Sequence, residues 1–130
     1  MVNGGNEYGQ LGDYYSPAIY ENDGKGFFSN TIGALPKIEV PGLSAAIGDI
    51  DGDGDLDIYV GGAVIPRTYP LPTASYLLEN DGKGNFSDVT TSWGEGIRLP
   101  GIVNEVTFSD MNGDGLLDLV MAGYWSNISV

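Results

Sequence analysis

Residues 49–57 read Asp-Ile-Asp-Gly-Asp-Gly-Asp-Leu-Asp, and an apolar run, Ile58-Tyr59-Val60, follows without a break. Five carboxylates within nine residues repel one another, so such a loop either lies open to solvent or closes around a cation. Calcium takes six to eight oxygens at roughly 2.3–2.6 Å, and oxygen-bearing side chains at positions 1, 3 and 5 with glycines between them suit it. The spacing turns the side chains of Asp49, Asp51 and Asp53 inward. Gly54 permits the sharp turn, Asp55 offers its backbone carbonyl, and Asp57 at the ninth position closes the cage.

A second copy separates metal binding from a merely solvated acidic loop. Asp110-Met111-Asn112-Gly113-Asp114-Gly115-Leu116-Leu117-Asp118 repeats the pattern and leads into Leu119-Val120-Met121. Leu116 stands at the seventh position, where only a backbone carbonyl is needed, so Asp55 is read as a carbonyl ligand with a free carboxylate. The second set is therefore Asp110, Asn112, Asp114, Leu116 through its carbonyl, and Asp118. An EF-hand needs a bidentate Glu at position 12 and flanking helices. Position 12 is Val60 in one loop and Met121 in the other, each inside a strand-like apolar run. These loops lead into strands, and two Ca²⁺ sites are expected.

At 130 residues the chain suffices for one domain with a buried core. Its 21 glycines, with abundant Asp, Asn and Pro between short apolar runs, indicate an all-β protein with many tight turns. The net charge is −13, from 18 acids against 5 bases; eight acids lie in the two loops, leaving ten against five elsewhere. Two divalent ions would bring the total to about −9. Without a basic stripe, nucleic acid is excluded as a partner. No apolar run reaches the ~18 residues of a membrane span. Met1-Val2-Asn3-Gly4-Gly5 has neither a basic start nor an apolar stretch, so it is no signal peptide, and a leader would lie outside this chain. Calcium sites of modest affinity suit the millimolar calcium outside cells, which points to an exported, extracellular or cell-surface protein.

Internal repetition organises the rest. Glu21-Asn22-Asp23-Gly24-Lys25-Gly26 recurs letter for letter as Glu79-Asn80-Asp81-Gly82-Lys83-Gly84, an offset of 58, and the metal loops are offset by 61. Each unit of about 60 residues reads as four strands. Strand one enters the metal loop (43–50 and 102–111) and strand two leaves it (56–62 and 117–123). Strand three (75–79) turns through Asn-Asp-Gly into strand four (85–90); those residues tolerate the positive φ of a tight hairpin. Residues 2–5 read as the end of a strand two, and 19–21 with 27–30 as strands three and four. The chain thus divides into most of one unit (1–37), a complete unit (38–97) and the first half of another (98–130). A lone four-stranded sheet with two apolar faces must stack on neighbours.

The run from Asp49 to Gly62, with its Asn-Asp-Gly-Lys-Gly hairpin, resembles the FG-GAP/VCBS repeat family. That family includes the propeller repeats of integrin α chains and of many bacterial exported proteins; Pro66 and the Tyr69-Pro70-Leu71-Pro72 stretch look closest to the bacterial branch. The resemblance implies that each repeat is one blade of a β-propeller and that the aspartate loops bind calcium. It implies the same ligands, Asp49, Asp51, Asp53, Asp55 and Asp57, then Asp110, Asn112, Asp114, Leu116 and Asp118. Asn112 departs from the all-Asp pattern and removes one charge. A closed propeller takes at least about four blades, and just over two are present. The fold expected is a partial propeller, continued in a longer protein or completed by oligomerisation into a ring or filament.

The function implied is a binding, adhesion or assembly scaffold for a protein or glycan partner. Trp93, Trp125 and the eight tyrosines suggest a glycan-binding lectin as the alternative, against the plainer reading that Trp125 packs between blades. Tyr69 and its proline loop are better placed for contact, because connecting loops carry binding. Asn85-Phe86-Ser87 and Asn127-Ile128-Ser129 match glycosylation acceptors. A polysaccharide-active enzyme is a further alternative, but the chain has no His or Cys and its carboxylates are committed to metal. The chain reads as no enzyme.

Overall fold

A computed structural model describes Met1 and residues 13–124 of the chain. The expected strand at 2–5, Trp125 and Asn127 lie outside the described residues. The fold is all-β, with eight antiparallel strands in three sheets among the described residues. Strands β1 (Tyr20–Asn22) and β2 (Phe28–Asn30) form a two-stranded hairpin. A four-stranded sheet follows in the order β3 (Gly42–Gly48), β4 (Asp57–Gly62), β5 (Tyr76–Asn80), β6 (Phe86–Asp88). A final pair comprises β7 (Ile102–Ser109) and β8 (Asp118–Tyr124). The full sheet is one blade, its neighbours are partial blades, and the propeller is not closed.

The strands end where side chains take over the backbone's hydrogen bonds. The sequence suggests that β3 runs to Ile50; it stops at Gly48 because the Ile50 N–H donates to Asp57 Oδ2 at 3.0 Å instead of to a ladder partner. β6 stops at Asp88 rather than Thr90. There the Asp88 carboxylate accepts from the Thr90 N–H at 3.0 Å and the chain turns into a one-turn helix, α1 (Thr90–Trp93), which the sequence did not disclose. Even irregularities repeat: register shifts fall between Gly42 and Ser44 and between Val103 and Glu105, an offset of 61.

Two cores hold the sheets. Ala46, Tyr59 and Leu77 on one face of the complete blade meet Val103 and Val106, with Phe108, Leu119 and Met121 packed around them. Gly48 makes this approach possible, since a Cβ there would stand 2.9 Å from Leu117 Cδ1 and 3.1 Å from Phe108 Cδ2. Gly61 does the same against Val103. On the other face Val40, Val60, Leu78 and Ile38 form a second core, with Leu35, Ile58 and Phe86 against it. Burying a side chain of this kind contributes about 1.5–3 kcal/mol, so stacking sustains blades that no disulfide supports. The buried Tyr59 hydroxyl donates to the Ile97 carbonyl at 2.6 Å, tying the blade to the segment that leads into β7. Burial pushes its pKa up to about 12. The Ser44 hydroxyl accepts from the Val106 N–H at 3.2 Å, a polar stitch across the stack.

Candidate metal centre

The β3–β4 connection holds the first aspartate loop in a shape its own carboxylates dictate. Asp49 accepts from the N–H groups of Gly52 (2.8 Å) and Gly54 (3.1 Å), Asp51 from Asp53 (3.1 Å), and Asp53 from Asp55 (2.9 Å). Gly52 and Gly54 take φ of 79° and 96°, a region that side chains disfavour, so the glycines are required by the turn. The result gathers Asp49, Asp51 and Asp57, whose carboxylate oxygens lie within 4.8 Å of one another. Lys37, in the β2–β3 connection, pairs with Asp13 at 3.6 Å.

Asp57 is the anchor. Its side chain is 1% exposed, Oδ2 accepts from Ile50 as above, and Oδ1 accepts from the Asn80 N–H at 2.9 Å. One carboxylate at the head of β4 therefore fastens the ends of both β3 and β5. A carboxylate oxygen that accepts one N–H keeps a second lone-pair direction, so these bonds orient the oxygens and leave them able to ligate. An all-oxygen, multiply charged set of this kind suits a hard divalent cation.

Asp53 and Asp55 stand outside the three-carboxylate group. The Asp55 carboxylate lies against the β5–β6 turn, where a Cβ on Gly82 would collide with it. Its pKa is raised, first by desolvation and then by the negative charges of Asp53, Asp49, Asp57 and Asp51.

The second loop is the same object in backbone terms. Asp110 accepts from Gly113 (2.7 Å) and Gly115 (2.9 Å), Asn112 from Asp114 (2.9 Å), Asp114 from Leu116 (2.8 Å), and Asp118 from Met111 (2.9 Å). The N–H groups of Gly115 and Gly113 hold the Asp110 carboxyl below its ordinary pKa. No group of three carboxylates gathers here among the described residues, since Asn112 stands where Asp51 does. Leu116 takes the position of Asp55, with its N–H bonded to Asp114.

Several residues that shape the centre escaped the sequence reading. Asn80 ties the hairpin to the loop through its backbone, and its side-chain amide donates to the Leu56 carbonyl at 3.2 Å. Its Oδ1 accepts from Gly82 and Gly84, while Asp81 accepts from Lys83 and Asn85. The Asn85 amide, the sequon's acceptor, donates to Asp81 Oδ2 at 2.9 Å. These bonds, repeated at Asn22 and Asp23, explain why the hairpin recurs letter for letter. Tyr69 and Trp93 are exposed on connections at the other end of the strands, away from both loops.

Stacked antiparallel blades, two of them with an aspartate loop joining their first two strands, define a β-propeller-like repeat segment. The FG-GAP-like repeat model matches twice, over residues 8–60 and 69–121, so the chain belongs to the FG-GAP-like repeat family. No curated protein and no solved structure matches it.

Proposed function

We propose that the chain is a calcium-stabilised propeller segment of an exported protein and serves as a non-catalytic scaffold for binding and adhesion. The observation that carries this reading is the convergence of Asp49, Asp51 and Asp57 within 4.8 Å. The second loop, with the same internal hydrogen bonds, takes a second ion more weakly because Asn112 contributes no charge. Both ions act structurally: a cation that binds the folded loop and not the unfolded chain adds its binding free energy to stability. The need for such ions fits the calcium-rich exterior of cells. A chain without His or Cys lacks the usual nucleophile–base pairs, which supports a scaffold over an enzyme.

Thermal melts test the reading. At free calcium about 100-fold above Kd, one site contributes about 2.7 kcal/mol, a rise of roughly 10 °C for a chain of this size. A chelator abolishes the rise. Identical melts in calcium and chelator contradict it. A glycan array probed with the calcium-loaded chain then separates partner classes, with binding to defined sugars favouring a lectin and silence favouring a protein partner.

A further inference from the structure

Asn112 and Gly113 lie exposed in the second aspartate loop, and the pair differs chemically from every other described asparagine and its successor. Asn22, Asn30, Asn80, Asn85 and Asn104 precede Asp, Thr, Asp, Phe and Glu, whose side chains crowd the nitrogen that follows the asparagine. Asn112 alone among them precedes glycine, which has no Cβ to shield that nitrogen. A Cβ built on Gly113 would meet nothing within 4 Å, so this side of the turn is open to water.

The amide groups are held differently as well. The Asn80 amide donates to the Leu56 carbonyl at 3.2 Å, and the Asn85 amide donates to Asp81 Oδ2 at 2.9 Å. At Asn112 the oxygen is the held atom, accepting from the Asp114 N–H at 2.9 Å, and no bond restrains the amide NH₂ among the described residues. The Gly113 N–H in turn donates to Asp110 Oδ1 at 2.7 Å. A carboxylate thus stands at the proton this nitrogen would have to shed, within the reach expected of a base.

From this juxtaposition we propose that Asn112 is a site of spontaneous deamidation, and that its aspartyl product supplies the carboxylate the second loop lacks. Water is the co-reactant. The Gly113 nitrogen bonds to Asn112 Cγ, the Cγ–Nδ2 bond breaks, and the amide nitrogen leaves as ammonia with the proton shed by Gly113. Water then opens the cyclic imide. Addition at Cγ restores the main chain and leaves an aspartyl side chain. Addition at the Asn112 main-chain carbonyl routes the backbone through Cγ and leaves an isoaspartyl residue.

The two products act on the loop in opposite ways. The aspartyl form puts a carboxylate where the first loop has Asp51, and with Asp110 and Asp118 it matches the Asp49, Asp51 and Asp57 group. The isoaspartyl form lengthens the main chain inside the loop and spoils the bonds from Gly113 and Gly115 to Asp110. Deamidation stands with or without an ion, whereas the gain in cation affinity rests on the calcium reading of these loops.

Incubation of the folded chain with chelator in warm, mildly alkaline buffer, followed by tandem mass spectrometry, tests the modification. Position 112 is expected to exchange its amide for a hydroxyl, part aspartyl and part isoaspartyl, while Asn80 and Asn85 stay intact. Asn3-Gly4 repeats the dipeptide outside the described residues, so the readout is position 112 itself rather than total ammonia. Asn112→Gln, whose longer side chain closes the ring far less readily, is expected to persist. An Asn112 that lasts as long as Asn80 and Asn85 overturns the proposal. Calorimetric titration of Asn112→Asp tests the consequence. Its weaker calcium event is expected to tighten about tenfold or more, as one added charge facing a divalent ion implies. Unchanged affinity there, with the first loop still binding, overturns that half. Conversion at Asn112 with calcium bound by neither loop refutes the calcium reading and leaves the deamidation established.

Discussion

At Asp57 a carboxylate accepts from both neighbouring strands, Ile50 on one side and Asn80 on the other. At Asp118 the same carboxylate accepts from Met111, the counterpart of Ile50, and β8 has no neighbour beyond β7 among the described residues. The two loops otherwise share their hydrogen bonds donor for donor. The difference teaches that the loop's shape is local, fixed by nine residues and their glycines, while its tie to the blade depends on the outer strands. A complete blade turns an aspartate loop into a three-strand fastener; a half blade leaves it a two-strand clip.

Substitutions can break or sharpen that contrast. The largest effect is expected for Asp57→Ala, which strands two part-buried backbone N–H groups and removes a proposed cation ligand. Each unsatisfied buried donor costs about 1–3 kcal/mol, so denaturant unfolding should show a loss of roughly 3–5 kcal/mol, about twice that of Asp118→Ala. Equal losses would mean that the Asn80 bond contributes nothing. Next comes Gly48→Val, which drives a side chain into Leu117 and Phe108 and should cost about 1–3 kcal/mol as overpacking. Ser109→Val, its counterpart on the open face of β7, should be close to neutral in the single chain.

A smaller contrast concerns the ions. Asp51→Ala should lower the melting temperature in calcium by about 5 °C more than Asn112→Ala, because it removes a charge from the three-carboxylate group. With chelator present the two variants should converge.

Tyr59→Phe is expected to cost about 1 kcal/mol through the lost bond to the Ile97 carbonyl. Burial raises the Tyr59 pKa from 10.0 to about 12. The folded state therefore favours the neutral phenol, and this contribution is complete below pH 10 and is lost as pH rises from about 10 to about 12. The Phe variant should show a shallower alkaline decline in stability than the parent chain.

Much of this was legible in the sequence because the governing contacts are short-range. The aspartate loops, the Asn-Asp-Gly hairpin and the strands between them are each set within about ten residues, and the 58- and 61-residue offsets multiplied the signal. The fold class followed from those alone. What stayed hidden lies far apart in the chain. Asn80 and Asp57 are 23 residues apart and Tyr59 and Ile97 38 apart, and no spacing rule marks such pairs. Gly82 read as a turn glycine, whereas it also makes room for Asp55. Gly48 and Gly61 fall within the expected strands, and only the stacked blade shows what a Cβ there would meet. Thr90 read as the end of a strand, yet Asp88 captures its N–H and starts α1.

Calorimetric titration of the apo chain with calcium puts the account at most direct risk. Two ions per chain are expected, bound with unequal affinity, with the tighter event removed by Asp51→Ala and the weaker by Asp110→Ala. Absence of binding heat, together with unchanged stability in saturating calcium, would contradict the claim that these loops are cation-held fasteners.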